Sequence, residues 1–464
     1  GFTKKQIFEV YQKMALSRRL DDKMLILLKQ GKSFFHIGAS GHEAAQLAAA
    51  EVIKPGEDWS FPYYRDGAYC IGLGMTAREQ LLSFLAKAAD PNSGGRQMPQ
   101  HYGHKDLRIV SQSSPTGTQF LQAVGCAMVC KMEKTKEVVY VSAGEGTTSQ
   151  GDFHEALNWA SNAKAPVIFH IQDNEYAIST HRSEQTASSI YDITSGYGNL
   201  SRYDVDGTDF FETSLAFKEA VQRARRDKGP SIIVSHVVRL LPHSSSDDQR
   251  KYRDEKSLNN DLKKDPLLIL ESECIDAKFI KADEFEKIRL QVDKDVDTDS
   301  AWAEEQDFPE PVTAMDHIYS SKEYPEESTF NPVAEKIVIV DAINHALHEE
   351  MELNEKMVVY GQDIADPKGG VFTATRGLSD KFGNSRVFNS PLAESSIVGT
   401  AVGMAVSGYK PVVEIQFGDY IWTAMMQIRN EVATMRYRSN NSWACPMVIR
   451  VPVGGYIHLS LIHI

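Results

Sequence analysis

The sequence predicts an α/β fold built from two units, each with a parallel β-sheet. In the first unit, a β-branched and aromatic run over residues 138–141 is followed by a glycine turn, a helical pattern from about Ser149 and a second apolar run over residues 166–171. Strand, helix and strand in this order form a βαβ unit, whose two strands are parallel. Strand-like and helix-like segments alternate again from about Val333, which predicts the second unit.

Two polar residues follow the strands of this βαβ unit. Glu145 lies between two glycines after the first strand, and Asn174 follows the second strand. The carboxyl ends of parallel strands share one edge of the sheet, where open α/β sheets bind ligands. A carboxylate and an amide carbonyl suit Mg²⁺ held against a diphosphate, and glycines allow the backbone to approach such a ligand closely. The alternative is a polar turn without a ligand.

The rest of the first unit alternates helical patterns with polar loops. Thr3 and Gln6 predict a capping box at the start of a helix that ends near Gly31. A loop with His243 follows a predicted strand and should therefore lie at the same sheet edge as Glu145. The other predicted elements are helices over residues 43–52 and 77–87, a loop over 94–105, a polar turn over 113–119 that leads into a helix, and a strand over 231–238.

The second unit is predicted with fewer strands. Helical patterns cover residues 337–352, 397–406 and 421–432, and strand patterns cover 357–360, 411–417 and 446–451. A sheet of three strands has exposed edges that need cover, so we expect the second unit to be incomplete. The predicted boundaries are residues 1–300 for the first domain with a charge-rich helical arm, 301–332 for a linker and 333–464 for the second domain.

Net charge, apolar runs and cysteine content restrict the class of protein. The chain has 464 residues and a formal net charge of −13, which argues against nucleic acid as a partner. No run of eighteen apolar residues occurs, so a membrane span is not predicted. The five cysteines are scattered and form no CxxC pair, which is typical of reduced thiols in a cytoplasmic protein.

Six segments carry a resemblance that extends over nearly the whole chain. In order they are GRQMPQHYG, SSPTGTQ, GEGTTSQGDFHEALN, HSSSDD, RVFNSPLAES and EIQFGDYI. Together they resemble the thiamine-diphosphate-dependent decarboxylating component of the 2-oxo acid dehydrogenase complexes, most closely the branched-chain type. Residues 1–300 resemble its α chain, and residues from 333 onward resemble its β chain, here fused to the α part. The resemblance implies two thiamine-diphosphate-binding domains, the second incomplete.

This resemblance implies the following site residues and cofactors. The magnesium ligands are the side chains of Glu145 and Asn174 and the backbone carbonyl of Tyr176. The catalytic residues are His243, near the reacting 2-oxo acid, and Glu394, whose carboxyl drives the aminopyrimidine of thiamine diphosphate to its imino form. K⁺ is a candidate further ion, at Ser113, Pro115, Thr118 and Gln119. The residues implied in cofactor binding are Tyr64, Arg65, Ser114, Thr116, Glu145, Gly146, Asn174, Arg239, Leu392, Glu394, Gln416 and Tyr420.

The implied reaction is the oxidative decarboxylation of a branched-chain 2-oxo acid, with pyruvate as the alternative substrate. The acyl group would pass to a lipoyl-bearing acyltransferase, and the fused chains would form a homodimer. The chain departs from the family at Gln172, where a diphosphate-contacting arginine is expected, at Thr116, where an apolar residue supports the cofactor, and at Pro242, which replaces a histidine.

The C-terminal sequence YIHLSLIHI does not match the family. We therefore do not expect His458 or His463 to replace the β chain's own active-site histidine, and we expect a fragment with impaired turnover. Three other classes of protein are alternatives. A transketolase fits the loops HSSSDD and GRQMPQHYG poorly, and a nicotinamide-binding enzyme would need a GxGxxG turn that is absent from the first strand's end. A non-catalytic remnant of the fold remains an alternative.

Overall fold

The computed structural model describes residues 1–321 and 336–454. These residues form a five-stranded sheet, a four-stranded sheet and a two-stranded ribbon, with helices packed around the two larger sheets. The predicted α/β class is confirmed. The predicted start of the second unit at Val333 and the sequence YIHLSLIHI, with His458 and His463, lie outside the described residues.

The five-stranded sheet belongs to the first unit and is entirely parallel. Strands β2 (Val139–Gly144) and β3 (Val167–Asp173) lie inside the sheet and are buried at every residue except Gly144, as expected for strands covered on both faces. The strand order is β1-β2-β3-β7-β6, and a short antiparallel pair, β4 and β5, follows β3. The strands of this unit are β1 (Trp59–Phe61), β2 (Val139–Gly144), β3 (Val167–Asp173), β4 (Tyr176–Ala177), β5 (Thr180–His181), β6 (Ser201–Asp206) and β7 (Ser231–His236).

Eleven described α-helices belong to the first unit. The first begins with the predicted capping box, in which Thr3 accepts from the backbone of Gln6 and the Gln6 side chain accepts from Thr3. The helices are α1 (Lys4–Lys29), α2 (Glu43–Ala50), α3 (Gly67–Gly72), α4 (Ala77–Phe84), α5 (Thr118–Met132), α6 (Gly151–Ala163), α7 (Ile190–Ile193), α8 (Phe210–Arg225), α9 (Glu255–Leu262), α10 (Pro266–Asp276) and α11 (Ala282–Glu304).

The charge-rich arm folds back on the first helix. Phe285 of α11 packs on Tyr11 of α1, with ring centroids 4.6 Å apart. Arg19 of α1 pairs at 2.9 Å with Asp293 and at 2.9 Å with Asp297 of α11. The arm therefore contributes buried apolar residues to the core of the first unit, although its composition predicted little core.

The second unit contains a parallel sheet of four strands in the order β11-β10-β8-β9. Its strands are β8 (Met357–Gly361), β9 (Val387–Asn389), β10 (Lys410–Glu414) and β11 (Val448–Arg450). Its described helices are α12 (Ile339–Leu353), α13 (Leu378–Phe382), α14 (Glu394–Val406), α15 (Met425–Gln427) and α16 (Met435–Arg438).

Two expectations for the second unit were wrong. The sheet has four described strands, because β9 pairs with β8, where the sequence predicted three. The helix predicted over residues 421–432 is irregular: a 3₁₀ turn over Gly418–Ala424 leads into α15 and then a π turn over Ile428–Val432. Of the apolar residues at the predicted helical spacing only Ala424 is buried, whereas the other buried side chains of this segment are the polar Gln427 and Glu431.

The two units pack through helices α5 and α14. Glycines on both helices bring the backbones into contact: a methyl group at Gly403 would lie 1.8 Å from the carbonyl oxygen of Gln122, and one at Gly125 would lie 1.9 Å from that of Thr400. Side chains extend the contact, since Ser395 donates to Asp152 at 2.7 Å. This interface places the start of α14 beside the start of α6.

The sequence predicted reduced thiols and no membrane span. None of the five cysteines forms a disulfide, and Cys70, Cys126, Cys130 and Cys274 are buried. Within residues 1–321 and 336–454, no helix is long and apolar enough to cross a lipid bilayer.

Candidate active site

Three parallel strands of the first sheet end at one edge and deliver predicted polar residues there. Tyr64 and Arg65 follow β1, Glu145 follows β2 and Asn174 follows β3. β2 and β3 are paired along their length, with Gly144 opposite Gln172. The backbone amide of Asn174 consequently donates to Glu145 Oε2 at 3.4 Å. Glu145 and Asn174 are thus adjacent, as the βαβ pattern predicted.

A cavity of about 350 Å³ opens at this edge. It collects residues from seven segments that are distant in sequence. Nine residues implied in cofactor, metal or substrate contacts line it, namely Tyr64, Arg65, Ser114, Thr116, Glu145, Gly146, Asn174, Tyr176 and His243. The loop over Ser114 and Thr116, whose position relative to the sheet the sequence did not give, forms one wall.

Glu145 is the most unusual group in the cavity wall. Its side chain is 2% exposed, and its Oε1 atom is buried without a hydrogen-bond partner among the described residues. Burial raises the pKa of the Glu145 carboxyl to about 7, and the neighbouring Asp173 carboxylate adds to the rise. A buried carboxylate is costly unless a charge or donor compensates it. The free oxygen therefore fits a bound cation.

The remaining donors suit a hard divalent ion. In the part of the chain that the structure describes, no cluster of three or more His, Cys, Asp or Glu side chains forms a metal centre. A cation here would depend on mixed oxygen donors, namely the Glu145 carboxylate, the Asn174 amide and backbone carbonyls, with phosphate oxygens completing the shell. This is how Mg²⁺ binds at diphosphate sites.

Two buried arginines supply positive charge near the cavity, in different ways. Arg65 lines the cavity, donates to the Gly38 carbonyl at 2.6 Å and leaves its Nε atom without a partner. Arg239 does not line it: its guanidinium lies behind the wall, donating to the Ile178 carbonyl at 3.0 Å and to the Tyr252 hydroxyl at 2.7 Å. Direct contact of Arg239 with a diphosphate would need these bonds to be exchanged.

His243 lies at the rim, against the aromatic and cationic wall. Its imidazole Nδ1 is 3.4 Å from Nη2 of Arg65, and its ring meets that of Tyr64 edge-on at 6.0 Å. Burial lowers the pKa of the His243 imidazole to about 4, and Arg65 and Arg239 add to this effect. His243 is therefore a neutral imidazole at physiological pH, able to accept a proton.

The predicted monovalent-cation loop is occupied by a carboxylate from the second unit. Thr118 donates at 2.7 Å to Oε1 of Glu431, which also accepts from Ser113. Gln119 does not face the loop's interior, because its Nε2 donates to the Ser142 carbonyl at 3.0 Å and its Oε1 accepts from the Gly117 amide. Pro115 contributes its carbonyl, 3.5 Å from the Thr118 hydroxyl. Sequence reasoning missed Glu431, because nothing in its own segment indicates this contact.

The residues predicted from the second unit form a separate cluster. Glu394, the first residue of α14, accepts from Gln362 at 3.4 Å and from Thr423 at 3.0 Å. Gln416 bonds to Asp363, whereas Leu392 and Tyr420 are exposed. None of these residues lines the cavity of the first unit. Glu394 nevertheless immediately precedes Ser395, which bonds to α6, the helix that follows the turn carrying Glu145.

Gln362 and Asp363 were missed, although a signal was present. They directly follow β8, so they lie at the carboxyl edge of the second sheet. The rule that placed Glu145 and Asn174 would have selected them as well.

Comparison with known proteins agrees with this division into two units. The profile of the family described as "Dehydrogenase E1 component" matches residues 11–312, and that described as "Transketolase, pyrimidine binding domain" matches residues 335–458. The chain belongs to the dehydrogenase E1 component family. Membership, together with the pyrimidine-binding match, implies thiamine diphosphate as the cofactor and a multienzyme complex with an acyltransferase as the setting.

Individual relatives of this E1 chain match one part of it at a time. The chain is 41% identical over 322 residues to 2-oxoisovalerate dehydrogenase subunit alpha of Bacillus subtilis, covering 69% of this chain and 97% of the relative. It is 51% identical over 124 residues to the beta subunit from the same organism, covering 27% of this chain and 38% of that relative. Pyruvate dehydrogenase E1 component subunit alpha of Staphylococcus aureus is 35% identical over 267 residues, 57% of this chain and 69% of the relative.

The three departures of this E1 chain have different structural outcomes. Thr116 lines the cavity, so the expected apolar support is replaced by a hydroxyl-bearing side chain at the same place. Gln172 is fully buried and bonds to Asp66 at 2.6 Å, so it does not replace the missing charge at the cavity. Pro242 precedes His243 in the same loop and is partly exposed.

Proposed function

We propose that this protein catalyses the oxidative decarboxylation of branched-chain 2-oxo acids, with thiamine diphosphate and Mg²⁺ as cofactors. The acyl group would pass to a lipoyl-bearing acyltransferase, whose lipoyl disulfide is the oxidant. The observation that carries the proposal is the unpartnered carboxylate oxygen of Glu145 beside Asn174, inside a cavity walled by Arg65. The Bacillus relative named 2-oxoisovalerate dehydrogenase supports the choice of a branched-chain substrate.

The first unit would hold the charged end of the cofactor. Glu145, the side-chain oxygen of Asn174 and the backbone carbonyl of Tyr176 would bind Mg²⁺, which takes a few protein oxygens and fills its shell with phosphate oxygens. Arg65 lies in the same wall and presents an unpartnered Nε atom. Tyr64 lies beside it, so this wall can neutralise a diphosphate and orient it through charge-assisted bonds.

The second unit would act on the other end. Bound thiamine diphosphate supplies the electron sink for loss of CO₂ from a 2-oxo acid. Glu394 would hold a proton at the pyrimidine ring nitrogen and so move the amino group to its imino form. Gln362 and Thr423 fix the carboxyl by donating to it. Leu392, Gln416 and Tyr420 lie on the loops around this carboxyl and would complete the pyrimidine site, while neutral His243 would exchange a proton with the reacting acid.

Three further features belong to the proposal. K⁺ would bind at the loop of Ser113, Pro115 and Thr118, where Glu431 adds a carboxylate, whereas the implied ligand Gln119 would first have to exchange its present bonds. The fused chains would assemble as homodimers, as is common for soluble enzymes. The unpaired, buried thiols support a cytoplasmic location.

Pyruvate is the second candidate substrate, favoured by the Staphylococcus relative named pyruvate dehydrogenase. Decarboxylation of 3-methyl-2-oxobutanoate and of pyruvate, followed with an artificial electron acceptor, distinguishes the two. We expect the branched acid to give the higher kcat/KM. A higher value for pyruvate would contradict the substrate assignment. Cofactor binding with no turnover of either acid would instead indicate that the protein is catalytically impaired.

A further inference from the structure

A group of buried polar side chains lies directly beneath the candidate metal ligands. His42, Gln46, Asp66 and Gln172 are each fully buried, and Asn174 is 6% exposed. Gln172 belongs to β3, His42 and Gln46 lie at the start of α2, and Asp66 lies in the segment that follows β1. Buried polar groups of this kind are stable only when their donors and acceptors match, so the hydrogen-bond directions can be assigned from chemistry.

The orientation of Gln172 is fixed from both ends. Its Nε2 atom lies 2.6 Å from Oδ1 of Asp66, a carboxylate oxygen that also has Ser142 and Tyr140 as donors on its partner oxygen. At the other end, Oε1 of Gln172 lies 2.9 Å from Nε2 of Gln46. Gln46 must present that nitrogen, because its own Oε1 accepts from the backbone amides after Asp66. The Gln172 carbonyl therefore faces His42.

This orientation dictates the tautomer of His42. Nδ1 of His42 lies 2.8 Å from Oε1 of Gln172, which has no proton to give, so Nδ1 carries the proton and donates. The Nε2 atom of a neutral His42 is then an acceptor. It lies 3.4 Å from Nδ2 of Asn174, the donor end of that amide. The Asn174 amide is oriented the same way at its other end, because its Oδ1 accepts from the Tyr176 backbone amide at 3.2 Å. Nε2 of His42 therefore faces a donor and carries no proton.

We infer that His42 is a positioning residue for the metal site, which it serves by holding the amide nitrogen of Asn174 away from the cavity. Asn174 would then present its carbonyl oxygen, where Mg²⁺ requires one. Gln172 stands at the position of the expected arginine. It donates to Asp66 and accepts from His42, and so fixes which ring nitrogen of His42 carries the proton. The inference rests on the proposed function for the identity of the ligand, but the tautomer and the amide direction hold without it.

The position of His42 is itself determined by the backbone. Gly41 has φ +101°, and a methyl group there would lie 2.1 Å from the carbonyl oxygen of Val238. Only glycine allows the chain to pass this close to the end of β7 and begin α2 at this point. His42 is thereby placed under the ends of β3 and β7.

The tautomer is measured first, on metal-free protein with ¹⁵N-labelled histidine. Long-range ¹H–¹⁵N spectra distinguish protonation at the two ring nitrogens, and the His42 signal is assigned by its loss in His42→Gln. We expect a neutral ring with the proton on Nδ1. A proton on Nε2, or a charged ring, would overturn the inference. This result does not depend on the folding of a variant or on catalytic activity.

Metal affinity is measured next, with Mn²⁺ as the probe and thiamine diphosphate present, by electron paramagnetic resonance. Loss of an outer-shell partner weakens metal binding by about 10–100-fold, so we expect at least a tenfold loss in His42→Leu. His42→Gln should remain within about threefold, because a glutamine amide can also donate to Gln172 and accept from Asn174. His154→Leu, at an exposed position on α6, is the matched control.

The outcomes separate the two claims. Wild-type affinity in a folded His42→Leu variant would overturn the positioning role. Absence of Mn²⁺ binding by the wild-type protein would refute the proposed function, whereas the tautomer would still decide the direction of the hydrogen bonds.

Discussion

Glu145 combines burial, ionisation and an oxygen without a partner, so its effects on folding and on ligand binding should oppose each other. Its carboxylate is held at a pKa of about 7 because burial penalises the charge. Active sites commonly keep such destabilising groups where function requires them. Glu145 was also the simplest site residue to predict, because the sequence shows it between two glycines directly after a strand pattern.

Replacing Glu145 with glutamine should therefore have two measurable effects. Without cofactor, the free energy of unfolding at pH 8 should rise by about 1–3 kcal/mol, because a buried charge is removed. The Kd for thiamine diphosphate with Mg²⁺ should rise by more than about 100-fold, because even outer-shell losses cost 10–100-fold. Denaturant unfolding and calorimetry measure the two effects. Glu184→Gln, the same change at an exposed position, should alter neither, and unchanged cofactor affinity in Glu145→Gln would refute the metal assignment.

His170 provides a residue-scale prediction about acid stability. It is fully buried in β3, bonded to Tyr140 at 2.8 Å and to Ser235 at 3.0 Å, and burial lowers the pKa of its imidazole to about 3. A base whose pKa is lowered on folding contributes stability that is present above its unfolded pKa, near 6.5, and is lost as the pH falls below that value.

Between pH 7.5 and 5.5 this one group should therefore cost the folded state about 1.4 kcal/mol. The variant His170→Gln retains hydrogen-bonding atoms but does not titrate. Between pH 7.5 and 5.5 its free energy of unfolding should therefore fall by about 1.4 kcal/mol less than that of the wild-type protein. Urea denaturation at the two pH values measures the difference. An identical pH dependence in both proteins would show that His170 is not the group responsible.

At the scale of elements, the sequence identified the central strands well and the edge strands poorly. β2 and β3 are apolar because both faces are buried, and that pattern is visible in the sequence. β6 (SRYDVD) is only partly buried at the sheet edge, so it has no apolar pattern to detect. β1 and β9 have three residues each, too few for a periodicity. Their assignment depends on pairing with distant strands.

The α5–α14 contact was also beyond the reach of sequence patterns. Glycines 125, 399 and 403 reduce predicted helix stability when each helix is considered alone. In the structure Gly125 and Gly403 are positions at which the two helix backbones touch, and Gly399 packs against the side chain of Leu121 on α5. The lower helix propensity of each glycine is offset by close packing between the two units. This packing cannot be predicted from either helix sequence alone.

Gly403→Ala tests this packing. The added methyl group would meet the Gln122 carbonyl oxygen at 1.8 Å, a backbone atom that cannot move aside alone. We expect a loss of about 3 kcal/mol in the free energy of unfolding, at the upper end for overpacking, despite the better helix propensity of alanine. Gly198→Ala, with nothing within 4 Å of the added methyl group, is the control and should change stability little. Wild-type stability in Gly403→Ala would mean that the two helices do not pack as described.

At the scale of the molecule, the family resemblance predicts which kind of chain this is, whereas the geometry shows which predicted residues lie together. The order of the six segments predicted an E1-type chain, and the family match confirms it. The cavity of the first unit brings most predicted residues together, whereas Arg239 lies behind its wall. The contact of Glu431 with the loop of Ser113 and Thr118 joins two units separated by about three hundred positions. Such a contact depends on the tertiary arrangement, which local sequence patterns do not encode. The domain boundaries at residues 300 and 332 stay predictions.

The central claim is that the edge of the first sheet anchors a thiamine diphosphate through a divalent ion. Calorimetric titration of this chain with thiamine diphosphate, with Mg²⁺ and then with the metal chelated, tests it most directly. We predict saturable binding, one cofactor per cavity, that requires Mg²⁺. Equal binding without the metal, or no binding when Mg²⁺ is present, would contradict it.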